Sequence, residues 1–235
     1  MTLAARMRPS RRLTALFALA FAWAGVVGVV LVFAGSEETY RDLVIPDYPP
    51  QMRIALPSGG SWDVSRETLV FLHRETVAYV LGRSPTLPAA PSGAFYTANE
   101  ASHFTDVRRV FDMAKAVAVA AVVVMVAGGA WARRRGYLAR LVRNGALAAA
   151  ALLVVVAAVF AVAFEPAFLA FHYVFFPEGN FLFDPATSNM LLVYPERYWY
   201  GITLRVGLSF IAVAMVVAVV AALLDRQRSA IVPPQ

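Results

Sequence analysis

Four long apolar runs separated by bunched charge decide what this chain can fold into. The runs 13–34, 113–131, 144–164 and 206–224 contain one charged residue between them, Lys115. Each is close to the length, about 20 helical residues, that crosses a hydrocarbon layer of roughly 30 Å. Lys115 sits at the start of its run, where its long stem can carry the ammonium back to the interface. Unpaired backbone groups are too costly in lipid for the runs to be anything but helices. With 60% hydrophobic and 15% charged residues, a soluble domain is excluded. The expected fold is an all-α membrane protein, a single integral membrane domain over 1–235. Its four transmembrane helices would carry an extracytoplasmic cap of short helices, turns and a few short strands.

The first run follows Arg6, Arg8, Arg11 and Arg12, which would also suit the basic start of a signal peptide. Its apolar stretch outruns the h-region of about 7 to 15 residues, so a retained anchor is expected. Arg133, Arg134, Arg135, Arg140 and Arg143 fill the link between the second and third runs, and Arg226 and Arg228 follow the fourth. Arginine collects on the cytoplasmic side, which places both termini in the cytoplasm of a multi-pass cell-membrane protein. The carboxylates agree, because all except Asp225 lie in 35–112 and 165–205, the segments left to face outward and to form the cap and site. The net charge of +6 then reads as topology and contact with anionic lipid, with no nucleic-acid surface implied. Cysteine is absent, which removes disulfides, thiolate nucleophiles and cysteine metal sites from the outer segments.

Within 35–112, Asp47, Pro49, Pro50, Pro57, Gly59 and Gly60 interrupt short extended stretches such as 52–56, a pattern of brief strands and turns. From 65 to 82 the pattern is helical, with Ser65 as N-cap, Val70, His73, Val77 and Leu81 on one stripe and Gly82 at the stop. A loop over 85–93 precedes a second helical start at Thr97 or Asn99, which carries Glu100, His103, Asp106 and Val107 on one side toward the second run. After the third run, Pro166 should end or bend the helix. The stretch 167–176, with His172 among Phe168, Phe171, Tyr173, Phe175 and Phe176, is too short to span and reads as re-entrant or interfacial. Pro177, Glu178, Gly179 and Asn180 make a turn, and Tyr194, Tyr198, Trp199 and Tyr200 read as an interfacial aromatic belt.

All three histidines lie in the outer segments. His103 and His172 flank membrane entry points, which permits a shared site where one imidazole takes a proton and another returns it. The bland reading makes His172 a headgroup-level side chain and pairs His103 with Asp106 on an exposed turn. His73, on an apolar stripe, reads as a packing histidine. Glu100 and His103 form an E-x-x-H pair of the kind that supplies two metal ligands in di-metal bundles, but Leu169 stands where a second pair would need its glutamate.

Two strings narrow these alternatives: NEASHFTDVRRVF at 99–111, and FHYVFFPEGNFLFD at 171–184 followed by YPERYWY at 194–200. Together they resemble the bacterial lipoprotein intramolecular transacylase family. Its pattern has an H-hydrophobic-x-D-V element before the second span and an F-H-x-x-F-F, G-N-hydrophobic-x-F and P-E-x-[FY]-W series before the fourth. The resemblance implies transfer of the sn-2 acyl chain of a diacylglyceryl lipoprotein to the α-amino group of its own N-terminal cysteine, giving a lyso-form lipoprotein, with no cofactor and no metal. The partners implied are membrane lipids and that lipoprotein. It also implies that His103 and His172 are catalytic; Asp106 or Glu100, on the same helical side as His103, is the expected orienting carboxylate. A lipid ester hydrolase or a non-enzymatic envelope protein of the same fold would share much of this pattern. If the two histidines meet, their rings should lie within roughly 3 to 6 Å, since proton-transfer partners need hydrogen-bond reach. A straight helix normal to the membrane would lift His103 about 18 Å above Lys115 at roughly 1.5 Å per residue. A break or steep tilt near Asp112 is therefore expected.

Overall fold

The computed structural model describes residues 8–231. Arg6, and the side chain of Arg228, lie outside the described residues. Four helices are long and apolar enough to cross a membrane: α1 (Arg11–Ala34) and, after the short helices α2 (Glu37–Val44) and α3 (Arg66–Val80), α4 (Ala98–Arg134), α5 (Leu138–Val162) and, after α6 (Phe164–Phe175) and α7 (Asn189–Val193), α8 (Glu196–Ile231). The chain is a multi-pass membrane protein.

By contact the chain divides into two units. A spanning unit takes in the chain up to Val30, Lys115–Ala158 and the chain from Val206; a mixed unit takes in Leu31–Ala114 and Val159–Arg205. In the spanning unit, Ala22, Ala149, Ala150, Phe210 and Ala214 form one buried cluster, and Phe17, Ala132, Tyr137 and Leu141 another. Valines and leucines such as Val119, Val123, Val155, Val216 and Leu223 point outward, as lipid-facing positions must. With apolar surroundings on all sides, such helices associate through close packing of small residues. Gly145 shows this: a Cβ there would stand 2.5 Å from the Phe17 ring, and one at Gly25 would stand 2.5 Å from the Phe210 ring.

In the mixed unit, β1 (Gln51–Ala55) and β2 (Ser61–Ser65) pair antiparallel, Met52 opposite Val64 and Ile54 opposite Trp62. Ser65 then caps α3, its hydroxyl accepting from the Thr68 amide while Thr68 completes the reciprocal box, so the N-cap read from the sequence is present. Two-residue strands β3 (Ala89–Ala90) and β4 (Gly93–Ala94) occupy the stretch expected as loop. The core is aromatic: Tyr40, Phe95, Tyr96, Phe104, Tyr194 and Tyr198 pack with Leu69, Leu72 and Val193.

Two expectations change here. Tyr194 and Tyr198 are not part of an interfacial belt: they are 4% and 3% exposed and press edge-on against Tyr40 and His73. A buried aromatic cluster and an interfacial one have the same composition, and only the distant partners distinguish them. Second, α4 runs from Ala98 to Arg134 without a break at Asp112. Residues 98–112 contain neither Pro nor Gly, and an Asp106–Arg109 ion pair braces one turn, so nothing interrupts the helix. His172 is carried by α6, which starts afresh at Phe164 after the chain leaves helical geometry at Ala163. His172 lies eight residues along it, about 12 Å at the α-helical rise. Pro166 falls in the first turn of α6, where a missing N–H costs little.

Candidate active site

His103 and His172 come together. Their ring centroids are 5.9 Å apart and nearly parallel, at 18°. His103 is 5% exposed on α4, and His172 is half-buried on α6. Around them the walls are aromatic: Phe176 lies 4.6 Å from the His103 ring and 5.3 Å from that of His172, Phe183 stands edge-on to His103, and Phe168 and Phe181 flank His172 at 4.2 and 5.2 Å. Two proton carriers thus sit in an apolar enclosure.

The sequence places a backbone acceptor one helical turn before His172. The His172 Nδ1 donates to the Phe168 carbonyl at 2.8 Å, leaving Nε2 as the ring's basic nitrogen. Burial pushes the His172 pKa down, only partly opposed by that hydrogen bond, so the ring is neutral at pH 7 and able to accept a proton.

Neither expected orienting carboxylate bonds directly to an imidazole. Glu100 is 1% exposed; its Oε1 accepts from the Ser188 hydroxyl at 2.6 Å and the Met190 amide at 2.8 Å, and its Oε2 accepts from the Thr97 amide at 2.8 Å. With those bonds it ties the start of α4 to the start of α7. Asp106 accepts from Arg109 at 2.7 Å through Oδ1 and from the Asn180 amide at 2.7 Å through Oδ2. Asn180 follows Gly179, whose φ of +75° suits glycine and turns the chain back beside α4. The sequence reads Asn180 only as part of a turn and gives Ser188 no role. The available signal for Asn180 was an amide, donor and acceptor at once, directly after a turn glycine.

His73 lies elsewhere in the mixed unit. It is 1% exposed and stacks on Tyr40 at 4.1 Å with an 8° angle between planes, and burial pushes its pKa down to about 4. Among the described residues no three His, Asp or Glu side chains converge. A cavity of about 520 Å³ is lined by Trp62, Phe71 and Pro91, away from both histidines of the pair.

The model of the family described as lipoprotein intramolecular transacylase Lit matches residues 59–199, a stretch holding every residue of this site. Among solved structures, the chain is similar to the membrane integral lipoprotein intramolecular transacylase Lit from Bacillus cereus, at a TM-score of 0.71 and 16% identity over 93% of this chain and 96% of that one. Two versions of that protein, carrying a histidine-to-arginine and a histidine-to-alanine substitution, match at TM-scores of 0.68 and 0.67 with 15% and 16% identity. They cover 93% of this chain in both cases, and 92% and 94% of their own. No curated protein sequence matches the chain. At such identity the structural likeness concerns the fold.

Proposed function

Because this chain belongs to the lipoprotein intramolecular transacylase family, we propose that His103 and His172 move the protons of an O-to-N acyl transfer within one diacylglyceryl lipoprotein. The observation that carries the assignment to these residues is the close, near-parallel approach of the two rings inside an aromatic wall. The α-amino nitrogen of the substrate's N-terminal cysteine attacks the carbonyl carbon of the sn-2 ester. A C–N bond forms, the ester C–O bond breaks, and the amine proton ends on the departing glyceryl oxygen. One neutral imidazole takes the proton from the attacking amine, and imidazolium returns it to the oxygen. His172, half-buried and next in sequence to the exposed Phe171 and Tyr173, suits contact with the ester; His103 serves as its partner, supported by Asp106, with Glu100 holding the α4 turn in place.

Amine and ester belong to one molecule, so holding them in register supplies much of the acceleration. The phenylalanine walls also keep water from competing for the acyl group. The arginine distribution supports cytoplasmic termini and a site on the outer face, and the apolar surface of α6 supports approach of substrate from the lipid. This reading needs no soluble cofactor.

The test uses a diacylated, signal-cleaved lipoprotein co-expressed with the protein, its N-terminus read by mass spectrometry. Wild type should yield the N-acyl, S-monoacyl form. His103→Ala and His172→Ala should each lower conversion by about 10²-fold or more, the usual worth of positioned acid–base groups, while His73→Ala retains it. Membrane insertion is checked in every variant. Normal conversion by the double histidine variant, or free fatty acid as the only product of wild type, would replace the transacylase reading with a scaffold or a hydrolase.

A further inference from the structure

We infer that Asn180 is the positioning residue that fixes the tautomer of His103, acting as a bridge between its Nδ1 and the Asp106 carboxylate. The inference rests on the site proposed above and deepens it.

Three observations meet at this side chain. First, the Asn180 Nδ2 donates to Asp106 Oδ2 at 2.7 Å and lies 3.4 Å from the Ser102 hydroxyl. Asp106 is ion-paired to Arg109 through its other oxygen, and a carboxylate so paired can only accept. The amide nitrogen must therefore face Asp106, and the amide oxygen must face away from it. Second, that oxygen, Asn180 Oδ1, is buried without a hydrogen-bond partner, and so is His103 Nδ1. Third, the two partners of the Asn180 amide, Ser102 and Asp106, flank His103 on α4, and the same amide raises the affinity of the His103 ring for a proton. An atom that only accepts and a ring nitrogen that donates in one tautomer are thus both buried and unpaired along the same stretch of α4.

Buried polar atoms are rarely left unpaired, so a small side-chain rotation that joins these two is favoured. Closing this pair gives the chain Asp106 Oδ2, Asn180 Nδ2–H, Asn180 Oδ1, His103 Nδ1–H. The ring is then locked with its proton on Nδ1 and its lone pair on Nε2. His172 reaches the same state by a different route, through its bond to the Phe168 carbonyl. Both histidines would then offer Nε2 to the reaction. The turn that delivers Asn180 is clamped on this ring: the Gly179 amide donates to the Phe176 carbonyl at 3.1 Å, and Phe176 packs on His103.

Nitrogen-15 NMR of the histidine rings in detergent-solubilised protein tests the bridge, because a protonated and an unprotonated ring nitrogen give well-separated signals. His103→Gln identifies the His103 signals, and conditions are chosen where the rings are neutral. Wild type should show His103 protonated at Nδ1. Asn180→Ala should move it toward the Nε2–H form that unconstrained histidine favours, with His73 and His172 unchanged. Asp106→Asn, an isosteric change, should do the same, since residue 180 can then reverse its amide and point its NH2 at Nδ1. In the conversion assay both variants should lower kcat by about tenfold or more with little change in KM, the signature of a lost transition-state contribution. A His103 pattern unaltered in both variants overturns the inference. So does a change at all three histidines, which marks disruption of the fold. The tautomer is read without turnover, so failure of the bridge is distinguishable from failure of the transacylase reading.

Discussion

At the scale of single residues the mixed unit uses two buried imidazoles in opposite ways. His103 lies beside the His172 ring, where the proposed proton transfer takes place; His73 lies in a stack of aromatic rings with its Nδ1 buried and unpaired. A polar atom in that state costs stability, and an apolar group of the same shape costs none. His73→Phe, which keeps the stack on Tyr40, should therefore be neutral or stabilising at pH 7.5. The same residue should make the fold acid-sensitive. Its folded pKa of about 4 lies below the ordinary 6.5, so the unfolded chain binds the extra proton first. Stability is full above about pH 6.5, declines as pH falls from there to about 4, and levels off below, an effect on the order of 3 kcal/mol for this one group. Thermal unfolding of solubilised protein across that range should show the decline in wild type and a flatter profile in His73→Phe. An identical decline in both would place the acid sensitivity elsewhere. The sequence made His73 legible as a packing residue through its apolar stripe, but its unpaired nitrogen depends on Tyr40, Tyr194 and Tyr198, which no local pattern connects to it.

At the scale of elements, a single carboxylate joins the helix that carries His103 to the segment that leads back to the membrane. Ser188 both caps α7, accepting from the Leu191 amide at 3.1 Å, and donates to Glu100 at 2.6 Å. Removing its hydroxyl takes away an N-cap and one partner of a buried carboxylate together. Ser188→Ala should lower stability by about 2 kcal/mol or more, seen as a lower unfolding temperature, and should lower conversion through the placement of His103, whereas Ser10→Ala, which removes only an exposed cap at the start of α1, should cost less and leave conversion unchanged. Unchanged unfolding in Ser188→Ala would mean that Glu100 finds water or another donor in its place. Element boundaries were legible wherever the signal was local: Ser65 before α3, the fresh start near Thr97, the interruption before Pro166. The function of Glu100 was not, because its partners lie 88 and 90 residues away. The spacing that relates it to His103 on α4 suggested a shared role in proton transfer, yet its bonds go to Ser188, Met190 and Thr97.

At the scale of the whole molecule, charge placement carries the argument from fold to compartment. The number and order of the four long apolar helices were legible, since length and hydropathy set them, but α4 and α8 begin at Ala98 and Glu196, well before the apolar runs at 113 and 206. The folding of 35–112 around an aromatic core was not legible, since its partners in 190–198 come from the far end of the chain. Orientation is written in the arginines. The link between α4 and α5 holds Arg133, Arg134, Arg135, Arg140 and Arg143, and a short arginine-rich link resists transfer across the membrane. In the proposed orientation four spans return both termini to the cytoplasm, and the segments bearing His103 and His172 emerge on the other side. Activity reporters fused after Arg12, Arg135 and Arg228 should read cytoplasmic, and one inserted near Pro88 should read external. The link at Arg135 decides most, because it lies between two spans and cannot be turned over without them. An external reading there would put both histidines on the cytoplasmic face, away from lipoproteins whose diacylglyceryl cysteine is displayed on the outer leaflet, and the proposed reaction would lose its substrate.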